Sequence, residues 1–198
     1  MTEQRNGDGL WPGSFLALVI VWVPTAWLIF LWTHEAGHVL GAWLTGGKVQ
    51  QVVLHPLAFS RTDVLPNPSP MIVAWAGAVL GPVVAVVCLW GIRCIPKHGM
   101  RLYWSLLGFI LLANGSYIGL GVVQPVGDAA DLLKLGAENW MLGAYGVVAC
   151  GFGFVLWGGI HPFRFFSLFG KWADWLAICA LAGITCILAV VGMLCCPG

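Results

Sequence analysis

Between Leu10 and Thr45 the chain carries one formally charged residue, Glu35. Apart from three hydroxyl groups and the histidines His34 and His38, the rest of that stretch is apolar or small. The run exceeds the ~20 residues that a helix needs to cross a hydrocarbon layer of ~30 Å. It is too long for the apolar part of a secretory signal, and no small-residue cleavage site follows it. A retained membrane helix is therefore expected over about residues 13–45, kinked at Pro24 and stopped by Gly46-Gly47.

The remainder of the chain extends this pattern. Of 198 residues, 60% are hydrophobic and 9% charged, where a soluble domain has about a quarter of its residues charged. So little polar surface cannot cover a soluble globule, and disordered chains lack such apolar content. Further spans are expected over about 71–95, 102–123, 140–160 and 172–194. The fold class is thus all-α: one polytopic transmembrane helix bundle of about five spans, forming a single domain over 1–198. A short β-prone segment, Val49–Leu54, follows the first span. A polar interlude from Gln124 to Glu138 carries Asp128, Asp131, Lys134 and Glu138. Gly77 and Gly81 form a G-x-x-x-G in the second span, which implies close packing against another helix.

Charge supplies orientation. With five spans, one side of the membrane receives Arg5, Arg93, Lys97, Arg101, Arg164 and Lys171. The other receives Lys48, Arg61 and Lys134. The excess places the N-terminus in the cytoplasm, and the expected location is the cell (inner) membrane. The basic residues form no patch and the net charge is +1, so no nucleic-acid partner is expected. The seven cysteines include no C-x-x-C pair. They are read as small apolar packing residues rather than a disulfide framework or thiolate zinc site.

One cluster carries chemistry. His34-Glu35-Ala36-Gly37-His38 is an H-E-x-x-H motif inside an apolar helix, and ionisable groups there are costly and usually functional. Positions four apart lie one turn apart on the same helix face, so His34 and His38 can hold one metal ion. Glu35, displaced around the helix, can reach a water on that metal. Zinc lowers the pKa of a bound water to about 7, and a neighbouring carboxylate can take its proton and pass it to a leaving amine. This is the chemistry of peptide hydrolysis.

Catalytic zinc normally takes three protein ligands. Of the remaining candidates, His55, Asp63, Asp128 and Asp131 lie on the motif's side of the membrane, and His98 and His161 on the other. The first and third spans exit on the same side, which brings Asp128, directly after the third span, to the motif's end of the bundle. Asp131 is the alternative.

These features resemble the site-2 protease class of intramembrane zinc metalloproteases, peptidase family M50. The resemblance rests on His34-Glu35-Ala36-Gly37-His38 with Leu44-Thr45-Gly46-Gly47, on Ala76-Gly77-Ala78-Val79-Leu80-Gly81-Pro82, and on Gln124-Pro125-Val126-Gly127-Asp128. It covers roughly residues 27–135. It implies zinc as cofactor, metal ligands His34, His38 and Asp128, and Glu35 as catalytic base and acid. The segment 124–128 lacks the family's leading Asn and the Gly after its Asp, which leaves Asp131 in contention. No Asn follows Gly81-Pro82 either. Asn114, a polar residue within the third span, is read as an interhelical hydrogen bond or as a group that positions substrate.

The expected function is a membrane-embedded zinc-dependent endopeptidase acting in or next to transmembrane segments of substrate proteins. Segment 49–54 offers such a substrate an edge for strand addition. The alternative is a non-proteolytic metal-binding scaffold or partner protein. The expected partners are the lipid bilayer, a membrane protein substrate and, because the connections are too short for a soluble regulatory domain, an accessory membrane protein. A transporter would spread polar residues over several spans, whereas here they gather at one locus.

Overall fold

The computed structural model describes residues 12–55, 60–94, 99–158 and 171–195. Arg5, Lys97, His98, His161, Arg164 and Cys196 lie outside them. The first element, α1, runs Pro12–Leu44 through Pro24. Its 33 residues correspond to about 50 Å of helix. It ends as the double glycine dictates. Gly46 has φ +77°, Gly47 N–H donates to Ala42 O at 2.8 Å and Gly46 N–H to Trp43 O at 3.3 Å, the paired bonds of a Schellman stop.

The chain then makes a hairpin. The β-prone segment forms β1 (Val49–Val53) and pairs antiparallel with β2 (Arg61–Val64). Val52 faces Thr62 and Val53 faces Arg61, with a bulge between Val49 and Gln51. The second strand is polar and was not legible in the sequence.

Helix α2 (Pro70–Cys88) starts with proline in its first turn, where the missing N–H costs nothing, and continues into a 3-10 turn at Trp90–Cys94. Helix α3 covers Gly99–Leu120. The polar interlude contains the short helix α4 (Gly127–Lys134). Asp128 in its first turn and Lys134 in its last suit the helix dipole, and Gly136 at φ +97° closes it. Helix α5 spans Asn139–Gly158 and α6 Lys171–Cys195.

Among the described residues, four helices are long and apolar enough to cross a membrane: α1 over Val19–Leu44, α2 with its 3-10 extension over Pro70–Cys94, α3 over Leu102–Leu120 and α5 over Asn139–Trp157. The fifth expected span, 172–194, falls on helix α6 (Lys171–Cys195), whose apolar stretch among the described residues is Ile178–Leu194. The architecture is an all-α polytopic bundle with one small hairpin.

Two apolar clusters hold the bundle. In the first, Trp22 and Phe30 of α1 meet Leu106 and Ile110 of α3 and Leu181 of α6. In the second, Ala129 and Leu132 of α4 pack with Ala78 of α2, Ile118 of α3 and Leu142 of α5. All five of these residues are fully buried. The amphipathic face of α4 is thereby fastened to three membrane helices, which fixes where its polar first turn can lie.

Candidate metal centre

His34 and His38 sit one turn apart on α1, both buried. Each ring is locked by a bond at Nδ1. His38 Nδ1 lies 2.7 Å from Val73 O, and since a carbonyl only accepts, His38 donates there. His34 Nδ1 lies 2.8 Å from Asn114 Oδ1. The Asn114 amide is itself oriented, because Nδ2 donates to Ile110 O at 3.0 Å, so His34 also donates through Nδ1. With both Nδ1 atoms donating outward, the rings turn their Nε2 atoms toward one another, 3.2 Å apart.

Asp128 completes the group. Its Oδ2 lies 2.7 Å from His34 Nε2 and 3.2 Å from His38 Nε2. Burial opposes ionisation of Asp128, but hydrogen bonds to His34 and His38, and their charge, hold its carboxyl well below the usual carboxylate range. The carboxylate is therefore ionised at neutral pH.

Three ligand atoms thus converge on one point, where the two ring nitrogens and the carboxylate oxygen must share a cation, whether protons or a metal ion. The donor set suits zinc: two imidazole nitrogens and a carboxylate oxygen, all within 4.8 Å of one another. Tetrahedral zinc with bonds near 2.0–2.1 Å separates its ligand atoms by about 3.3 Å, close to the 3.2 Å from His38 Nε2 to His34 Nε2 and to Asp128 Oδ2, while His34 Nε2 and Asp128 Oδ2 stand nearer, at 2.7 Å. The floor of the site is Gly77. A Cβ there would collide with His38 Nε2 and approach His34 Nε2 to 2.7 Å. The G-x-x-x-G of α2 does bring helices together, since a Cβ at Gly37 of α1 would meet Ala76 O at 2.6 Å and Gly81 N at 2.7 Å. It also leaves open the space in which the ring nitrogens meet.

The other sequence candidates fall elsewhere. Asp131 is exposed and its Oδ1 accepts from Lys134 Nζ at 2.9 Å. Asp63 pairs with Arg61 at 3.2 Å. His55, at the end of the first strand, is not in the three-residue group. Asn114 makes the interhelical bond and not the substrate contact: it is fully buried, with oxygen and nitrogen both engaged. Glu35 is buried on α1, and its Oε2 accepts from Thr62 Oγ1 of β2 at 2.7 Å. The hairpin thus touches the one acidic residue of the helix.

Sequence reasoning missed three supports: the Val73 carbonyl, the Thr62 hydroxyl, and Tyr117, whose hydroxyl accepts the Asp128 N–H at 3.0 Å. The spacing of Tyr117 three residues after Asn114 on one helix face was the available signal.

An open cleft of about 700 Å³ reaches the centre. His38 and Asp128 line it, with Thr62 and Asn67 on the hairpin side and Asp131 and Lys134 on the α4 side. It therefore runs between a strand and a helix, with mixed polar and apolar walls, past His38. A family model described as Peptidase M50B-like matches residues 13–125, more than half of the chain. No curated protein and no solved structure matches the chain.

Proposed function

This chain belongs to the peptidase M50B-like family, and from that premise we propose that it is a zinc-dependent endopeptidase. It hydrolyses peptide bonds in or beside transmembrane segments of other membrane proteins, in the cell (inner) membrane. The single observation that carries the reading is the convergence of His34 Nε2, His38 Nε2 and Asp128 Oδ2 beside an open cleft that His38 and Asp128 line.

His34, His38 and Asp128 hold the metal. A zinc ion bound there supplies a Lewis acid that polarises the scissile carbonyl and acidifies water. Glu35 takes a proton from the attacking water and delivers it to the leaving amine. Thr62 occupies Oε2 of Glu35, and no described residue bonds to Oε1, so one oxygen is held while the other is free for the proton. Asn114 and the Val73 carbonyl keep both histidines in the tautomer that faces the metal.

The substrate binds in extended form. A helical segment hides its carbonyls in its own hydrogen bonds, so it must unwind before one can be attacked. The cleft between the hairpin and α4 favours an unwound stretch that pairs by strand addition. An accessory membrane protein that presents or withholds the substrate fits a chain whose described connections are short.

The test is Glu35→Gln in detergent-purified full-length protein, assayed on a panel of single-span membrane proteins. The variant is expected to keep its zinc and to lose turnover by about 10²–10⁴-fold, the usual share of general acid–base catalysis. Unchanged turnover in Glu35→Gln overturns the reading.

A further inference from the structure

Asp128 lies at the second position of α4, a helix that begins without a cap of its own. The N-cap residue is Val126, with extended backbone (φ −136°, ψ 153°) and no side-chain cap bond. Gly127 follows at φ +52°. The first amides of a helix have no intrahelical partner, and valine has no oxygen with which to accept from them. One of these amides is nevertheless satisfied from another helix: the Asp128 N–H donates to Tyr117 Oη at 3.0 Å. Tyr117 is itself fixed. It stands three residues from Asn114 on α3, packs against the apolar cluster that anchors α4, and sets its ring edge-to-face on His34 with centroids 5.7 Å apart.

We propose that Tyr117 is a positioning residue for the metal carboxylate, its hydroxyl standing in for the absent N-cap of α4 and fixing the backbone from which Asp128 reaches the histidines. Asn114 and Tyr117 then act together. One face of α3 sets His34 through its ring nitrogen and Asp128 through its amide, so two ligands from distant parts of the chain share one template. This inference rests on the metal centre proposed above. It adds a residue that binds neither metal nor substrate and whose effect is read in zinc affinity.

The experiment measures zinc affinity of the detergent-purified full chain by competition with a chromogenic chelator, for wild type, Tyr117→Phe and Tyr117→Phe/Val126→Ser. Phenylalanine keeps the ring packing and removes one hydrogen bond. Supports of this kind are worth about 10–100-fold in metal affinity, so Tyr117→Phe is expected to bind zinc at least about tenfold more weakly, with helicity and Tm of the metal-free protein unchanged. Serine at an N-cap with extended backbone can accept from the amide two or three residues on, so Val126→Ser is expected to recover most of the loss. Recovery from a residue that touches neither histidine is what a merely structural role for Tyr117 would not produce. Wild-type affinity in Tyr117→Phe, a folded double variant no tighter than Tyr117→Phe, or global unfolding of Tyr117→Phe each overturns the proposal. Absence of zinc binding in wild type instead removes the metal centre itself.

Discussion

At the scale of single residues, the centre depends on which atoms are denied alternatives. Each histidine gives its Nδ1 proton to an oxygen already fixed by a neighbouring helix, so only Nε2 is left to face inward. Gly77 matters for the space it leaves. Gly77→Ala places a methyl group against both ring nitrogens, and zinc affinity is expected to fall on the order of 10–100-fold, the range seen when ligands lose their orientation. Chelator competition on the purified variant checks this, and wild-type affinity would mean that the rings have more room than their contacts allow. The histidines and Glu35 were legible because H-E-x-x-H packs its chemistry into five consecutive positions of an apolar helix. Tyr117 was not, because it acts through a backbone amide and its only mark is its place three residues after Asn114 on one helix face.

At the scale of elements, the hairpin and α4 are the two walls of the cleft, and neither was fully legible. The sequence marks β1 by its valines, yet β2 reads Arg-Thr-Asp-Val and is a strand only because β1 lies beside it. Helix α4 has eight residues, too few for periodicity to stand out in a polar connection. Only the burial of Ala129 and Leu132 beneath the bundle gives it a fixed face. The same burial explains the Asp128–Asp131 geometry. With Ala129 and Leu132 turned down, Asp128 turns toward α1 while Asp131 turns to solvent and Lys134. On the function proposed above the hairpin would couple substrate to base, since Val52 pairs with Thr62 and Thr62 bonds Glu35. Proline at 52 removes a backbone donor from β1. Val52→Pro is therefore expected to slow cleavage about tenfold, what one hydrogen bond of ~1.4 kcal/mol amounts to, with zinc content unchanged. A cleavage assay paired with metal analysis decides it, and equal rates would mean that the hairpin does not serve the reaction.

At the scale of the whole molecule, the bundle was legible because a membrane leaves few choices: a backbone in hydrocarbon must satisfy itself as a helix or a closed barrel. The two apolar clusters involve no metal ligand, so the fold should not depend on the ion as a zinc finger does. Stripping metal with a chelator is expected to leave far-UV helicity intact and to abolish cleavage, with zinc restoring it; loss of helicity would place the metal in the folding core instead. The most direct measurement is zinc per chain in the detergent-purified protein by elemental mass spectrometry, for wild type, His38→Ala, Asp128→Ala and Asp131→Ala. The predicted result is near-stoichiometric zinc in wild type and in Asp131→Ala, and its loss in His38→Ala and Asp128→Ala. Wild type without zinc after resupply, or zinc retained in Asp128→Ala and lost in Asp131→Ala, would contradict the centre described above.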